Sequence, residues 1–283
     1  MEKLNLFYPQ WQGSGPDLSP FNGAIELKKY LAGQAGWEEV RVSTCLVTDK
    51  KNDIFGYDDI LLQMKEAARL IDFHRPQKIF TLGGGCDAGL LPIAYLNALY
   101  SAGLTVLWFD AHGDLNTPRS SPSGYFYGMP ARTLLGEGDP IFLNLLPSIL
   151  RPEQVIMAGL RDLDPAEAAF IEQSGLKLLS VKELEAGSES IIAAVESSLQ
   201  SKPGAGMNGN IYIHLDLDVL DPEAFPHVPV PAPGGLKPQT LLSLINVLNT
   251  NFNLVGLGIY EYSASGKQPD TFLKEIFRIG IDF

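Results

Sequence analysis

An α/β fold with a mostly parallel β-sheet covered by helices on both faces is what this chain predicts, and three observations carry that expectation. Apolar strand-like runs alternate with helically spaced stretches along the whole chain, the pattern of a parallel sheet with crossover helices. The 283 residues, 45% of them hydrophobic, suit one large domain spanning 1–283 better than two. Cys86, Asp110, Asp164, Asp216 and Glu261 all fall at or just past the ends of expected strands, where open parallel sheets build their sites.

The elements follow in order. Leu4–Tyr8 reads as a strand, Trp11–Pro20 as a loop rich in Gly, Pro and Ser, and Phe21–Leu31 as a helix ended near Gly33. Glu39–Leu46 reads as a second strand with Cys45 in the core. Asp58–Phe73 has helical spacing at Ile60, Leu61, Met64, Ala67, Ala68 and Ile71, and Pro76 blocks its extension. His74 at that helix's end is exposed or favoured by the helix dipole. Lys78–Leu82 is a strand, Gly89–Ser101 a helix and Thr105–Phe109 a strand. Residues 117–128 form a loop, and helices are expected over Pro130–Leu135 and Phe142–Ile149. Gln154–Ala158 and Leu176–Ser180 read as strands flanking a helix at Pro165–Gln173. Val181–Leu199 reads as helical with one Gly, and 201–209 as a connector. Asn210–Leu217 is a strand, Lys237–Leu248 a helix, Leu254–Tyr260 a strand and Pro269–Phe277 the last helix.

Composition narrows the function. Twenty-one Lys and Arg against 33 Asp and Glu give a net charge of −12, which disfavours nucleic acid and anionic membranes as partners. A cationic substrate is compatible with that sign. Two cysteines far apart, Cys45 and Cys86, argue against a disulfide framework. No run of 18 apolar residues exists, and MEKLNLFYPQ lacks the pattern of a signal peptide, so a cytoplasmic location is the expectation.

The chemistry concentrates in two stretches. VLWFDAHGDLN (106–116) is an apolar strand running into Asp110, His112 and Asp114. IYIHLDLDVLDP (211–222) is another, running into Asp216 and Asp218. An extended chain turns alternate side chains to one side, so each strand end presents converging polar groups, which are costly to desolvate without a cation among them. A helix-loop-helix calcium loop is excluded. Counted from Asp216, its required Gly and Glu positions hold Asp221 and His227. Four carboxylates and an imidazole favour two divalent ions with bridging carboxylates. Alternation also turns His214 towards the side of Asp216 and Asp218, as a hydrogen-bonded core histidine or a group behind the cluster. It likewise puts Trp108 on the side of Asp110, lower down in the core. Asp221, before Pro222, caps a turn. His227 is placed at the rim in the Pro-rich loop 226–233.

Together, DAHGDLNT and HLDLDVLDP resemble the ureohydrolase family of arginases, agmatinases and formimidoylglutamases. Further pieces match in order over about residues 78–265: GGGCDAG (83–89), where the family has a Gly-Gly-Asp-His-Ser-type motif; SGYFYGMP (123–130), where it has Ser-Gly-Asn-x-His-Gly; GLRDLDPAE (159–167); PVPAPGGL (229–236); and Glu261 in GIYEYSA. The resemblance implies an arginase-like three-layer α/β/α fold and a homo-oligomer, trimeric or hexameric. It implies two divalent ions, expected to be Mn2+, bridged by Asp110 and Asp216. Asp114 would complete one shell, and His112 with Asp218 the other. A water bridging the two ions, acidified towards hydroxide, would attack a guanidinium carbon held by Glu261. Asp164 matches an acid that contacts the substrate's α-amino group, and Asp162 reads as structural.

Three departures refine this expectation. Cys86 stands where the family has a metal-binding His; it is read as a thiolate ligand, softer than imidazole, with a neutral buried thiol as the alternative. Tyr127 stands where a His shuttles a proton to the leaving amine, and a phenol is a poorer shuttle at neutral pH. Tyr125 replaces an Asn that contacts the substrate carboxylate. These changes resemble the family's hydroxyarginine hydrolases, which supply hydroxyurea for D-cycloserine biosynthesis. The expected activity is hydrolysis of N-omega-hydroxy-L-arginine, a small cationic guanidino amino acid. The alternatives are ordinary arginase activity, formimidoylglutamate hydrolysis, and a metal-poor binding protein with a decayed site.

Overall fold

In the computed structural model, residues 2–31, 36–200, 209–264, 266 and 268–283 are described. Gly33 and most of the expected 201–209 connector lie outside these. Among the described residues ten strands occur in chain order: β1 (Lys3–Tyr8), β2 (Glu38–Glu39), β3 (Lys50–Lys51), β4 (Ile54–Phe55), β5 (Lys78–Gly83), β6 (Thr105–Phe109), β7 (Val155–Ala158), β8 (Lys177–Leu179), β9 (Asn210–Asp216) and β10 (Asn253–Tyr260). Eight of them form one sheet in the order β2-β1-β5-β10-β9-β6-β7-β8. Every pair in it is parallel.

Alternation divides the core between the two faces. Phe7, Leu82, Leu107, Phe109, Ile213, Leu215 and Leu257 pack on one side, beneath helices 189–200, 238–251 and 271–282. Leu6, Tyr8, Ile79, Val106, Trp108, Tyr212 and Tyr260 pack on the other, beneath helices 57–74 and 90–99. Both faces are covered, so the central strands read as nearly unbroken apolar runs. Register brings their carboxyl ends level: Tyr8 lies opposite Gly83, Phe109 opposite Leu215, and Tyr260 opposite Asp216.

Several expectations need correction. The strand expected over Glu39–Leu46 shrinks to β2. The side chains of Trp11 and Gln12 donate to Ser43 O at 2.8 and 2.9 Å, so a loop engages that carbonyl instead of a ladder. Cys45 is consequently exposed, not core. The helix expected at Phe142–Ile149 starts and ends earlier, at Pro140–Leu143, because Asp139 caps it through Ile141 N and Phe142 N. Val181–Leu199 is two helices, Val181–Ala186 and Glu189–Gln200, separated at Gly187 with φ 149°. The β3–β4 hairpin turns through Asn52 and Asp53, both at positive φ. That Asn-Asp pair between short strands was its local signal.

Candidate metal centre

Strand ends β5, β10, β9 and β6 place the polar cluster. Asp110, first after β6, accepts from Trp108 Nε1 at 3.0 Å and from His112 N at 2.6 Å. Trp108 therefore lies on Asp110's side, as alternation predicts. Asp218 accepts from Ala111 N at 2.9 Å and pairs with His112 Nδ1 at 2.8 Å, which ties the β6 loop to the end of β9. Asp216 Oδ1 accepts from Asp218 N at 2.7 Å, while Oδ2 lies 3.1 Å from Cys86 Sγ. Glu261 Oε1 accepts from Cys86 N at 3.2 Å.

The donor atoms form three overlapping groups, each within 4.8 Å: Cys86, Asp110, Asp114 and His214; Cys86, Asp216 and Glu261; Asp110, His112 and Asp218. Asp110 and Cys86 are each common to two of them. Asp216 is grouped with Cys86 and Glu261 and not with His112. The electrostatics of this arrangement call for a cation. Burial and neighbouring carboxylates hold Asp114 and Asp216 well above the usual carboxylate range, and burial with Asp218 pushes Asp110 up to about 7. Burial works to lower His112, yet hydrogen bonds and charge from Asp110 and Asp218 push it up to about 11. Asp114 Oδ2 is buried with no hydrogen-bond partner. Oxygen-rich, mutually repelling and partly unsatisfied, these residues fit divalent ions.

Beside the cluster lies a cavity of about 230 Å³ lined by His112, Asp114, Asn116, Ser121, Ser123, Tyr125, Tyr127, Asp162, Asp164 and Glu167, among others. Tyr127 also lines the narrow inner end, with Asp216, Asp218 and Glu261. Burial first, then Glu261 and Asp114, hold its hydroxyl well above the ordinary phenol range. Tyr125 leans on Phe55 edge to face at 5.7 Å. Asp164 caps helix 165–174 and accepts from Asn116 Nδ2 at 2.8 Å. Asp162 was read as structural; it is an exposed rim carboxylate, 3.8 Å from His112 Nε2. Asp221 caps its turn through Glu223, Gly234 and Gly235 N–H groups. His227 packs against Phe225 and Tyr262, and the inner cavity is lined by Pro229 and Val230 from its loop instead. His74 pairs with Glu38 at 3.2 Å.

Three contributors escaped the sequence reading. Glu167 accepts from Leu115 N and Asp164 N, both at 2.9 Å, and so joins the metal loop to helix 165–174. Arg161 donates to the carbonyls of Gly159, Asp218, Leu220, Ala232 and Pro233. Asp87 folds back over Gly85: a Cβ there would lie 2.8 Å from Asp87 Oδ1 and 3.2 Å from Glu261 Oε1. Asp87 thus brings a further buried carboxylate beside Gly85 and Glu261. Three consecutive glycines were the only signal.

Four buried aspartates, an imidazole and a thiol gather at the carboxyl edge of a parallel α/β sheet, a donor set suited to divalent cations. The chain belongs to the arginase family, hydrolases of amidino C–N bonds, whose model matches residues 24–272. An arginase of Staphylococcus aureus is 29% identical over 216 residues, covering 75% of this chain and 70% of that one. The arginase of another strain is 34% identical over 180 residues, and that match spans only 58% of its length. Among solved structures, Entamoeba histolytica arginase in complex with L-ornithine superposes with a TM-score of 0.84 at 20% identity, covering 99% of this chain and 97% of that one. At that identity the likeness establishes the fold.

Proposed function

We propose that this chain hydrolyses N-omega-hydroxy-L-arginine to hydroxyurea and L-ornithine, with Cys86, Asp110, His112, Asp114, Asp216 and Asp218 holding two divalent ions, Mn2+ by family resemblance. Bound ions supply Lewis-acid chemistry, acidifying a water and offsetting the carboxylate charge. The chain's own groups do the rest. Glu261 has one oxygen engaged by Cys86 N–H, and its other oxygen orients the amidino nitrogens. At the outer end Asp164 and Glu167 receive the α-ammonium group, while Asn116, Ser121 and Ser123 offer neutral donors to the α-carboxylate. Tyr125 adds a hydroxyl there.

The observation that carries the substrate choice is Tyr127. It occupies the inner cavity beside Glu261 and Asp114 and keeps its proton far above neutral pH. A hydroxyl that keeps its proton can donate a hydrogen bond to a bound substrate but is a poor shuttle of a proton to a departing amine. An N-hydroxyguanidine is less basic than arginine's guanidinium and brings an ionisable N–OH of its own, so it depends less on a protein shuttle. A second reading, ordinary arginase activity, is favoured by the sequence relatives, which are arginases. The deciding experiment measures both substrates side by side, with Mn2+ and with chelator. Strong preference for the hydroxylated substrate, lost on chelation, supports the proposal. Equal or better arginine turnover overturns the substrate assignment and leaves the metal reading standing.

A further inference from the structure

Beneath the carboxylates lies a layer that the hydrolytic reading does not use. His214 on β9 is fully buried. Its ring is sandwiched between Trp108, at 3.5 Å between centroids and 9° between planes, and Tyr260, at 4.3 Å and 21°. Register builds this stack, since Trp108 on β6 and Gly258 on β10 both lie opposite His214. Tyr260 folds back over Gly258, where a Cβ would lie 1.9 Å from its hydroxyl oxygen. Gly89 closes the far edge, with a Cβ there 3.0 Å from His214 Nδ1. The imidazole is thus held on both faces and at one edge. Its other edge points Nε2 at Cys86 Sγ, 3.1 Å away.

Nδ1 has no hydrogen-bond partner. A buried N–H without an acceptor costs about 1–3 kcal/mol, and an idle acceptor is tolerated better. The ring proton therefore belongs on Nε2, and the sulfur is its acceptor. Cys86 in turn is 3.1 Å from Asp216 Oδ2.

We propose that His214 is the positioning residue of Cys86: clamped by Trp108 and Tyr260, it donates Nε2–H to the sulfur and fixes it towards the carboxylate cluster as a metal ligand. This rests on the reading of Cys86 as a ligand. The N–H···S bond also draws charge from a soft donor, which suits it to a harder ion.

The test uses the full chain loaded with Co2+, read by its sulfur-to-cobalt absorption band, and with Mn2+, read by equilibrium dialysis. His214→Phe keeps a ring in the stack but removes the donor; His214→Gln keeps a donor at similar reach. His214→Phe should shift the band and weaken one of the two ions about 10–100-fold, and His214→Gln should recover much of both. In a Cys86→Ala background, His214→Phe should add nothing further. Wild-type band and affinity in His214→Phe, or additive losses in the double variant, overturn the proposal. Should His214→Phe not fold, His214→Leu supplies the same cycle. A wild-type protein with no sulfur band at all would instead sink the ligand reading beneath it.

Discussion

Cys86 shows how far one residue constrains its neighbours. Its sulfur sits 3.1 Å from both Asp216 Oδ2 and His214 Nε2, so restoring the family's His at 86 by itself inserts a ring into filled space. Overpacking of this kind costs about 1–3 kcal/mol. Cys86→His should therefore lower the thermal midpoint, and the pair Cys86→His with His214→Ser should regain it together with metal occupancy; a single variant as stable as wild type would contradict this packing. Tyr127→His has room at the cavity wall and returns an imidazole, so arginine turnover should rise relative to hydroxyarginine turnover in the same assay. Residues of this kind were legible to different depths. The metal carboxylates could be read because alternation along a strand is local. Asp87 could not, because its placement depends on Gly85 lacking a side chain, which residue spacing does not announce. Asp114 and Glu261 both adopt left-handed φ, 53° and 56°, a strain of about 1–3 kcal/mol each that spacing does not announce.

At the scale of elements, the central strands were recognisable because both of their faces are buried and their apolar runs are continuous. The edge was not. Glu39–Leu46 has strand-like composition, but the loop holding Trp11 and Gln12 engages its backbone at Ser43. Helix starts marked by Asp-Pro depend on cap geometry that periodicity alone overlooks, as at Asp139. Arg161 exposes another blind spot, since its role is to bind carbonyls of loops that are distant in sequence. Its planar guanidinium joins the end of β9 to the 232–233 loop through Asp218 O at 2.6 Å and Ala232 O at 2.7 Å. Lysine cannot reproduce that fork. Arg161→Lys should lower unfolding free energy by about 2 kcal/mol, given roughly 1.5–3 kcal/mol for each hydrogen bond from a charged group and partial replacement by the ammonium. Denaturant unfolding measures it. Metal affinity should fall as well, because Asp218 loses the brace on its own carbonyl.

Across the whole molecule, the sheet gathers negative charge at one edge of an already acidic protein, and folding without cations carries that cost. In chelated protein, burial first and then Asp218 raise Asp110 from 3.8 to about 7, and burial raises Asp87 to about 7. Both bind protons more tightly folded than unfolded. Their stabilisation is fully present below about pH 4 and is lost as pH rises to 7. His112, raised from 6.5 to about 11 against its burial by Asp110 and Asp218, extends the decline, with stabilisation present below 6.5 and lost towards 11. Chelated protein should therefore lose stability steadily from pH 5 to pH 9. Ions reverse the trend, since they replace those protons and bind more tightly as the ligands deprotonate. One ion at 100 times its dissociation constant adds about 2.7 kcal/mol, or roughly 5 °C in a chain of this length. The gap between Mn2+-loaded and chelated midpoints should thus widen from pH 5 to pH 8, as calorimetry in matched buffers would show. A gap that stayed constant with pH would mean that the ions bind elsewhere than among these buried acids.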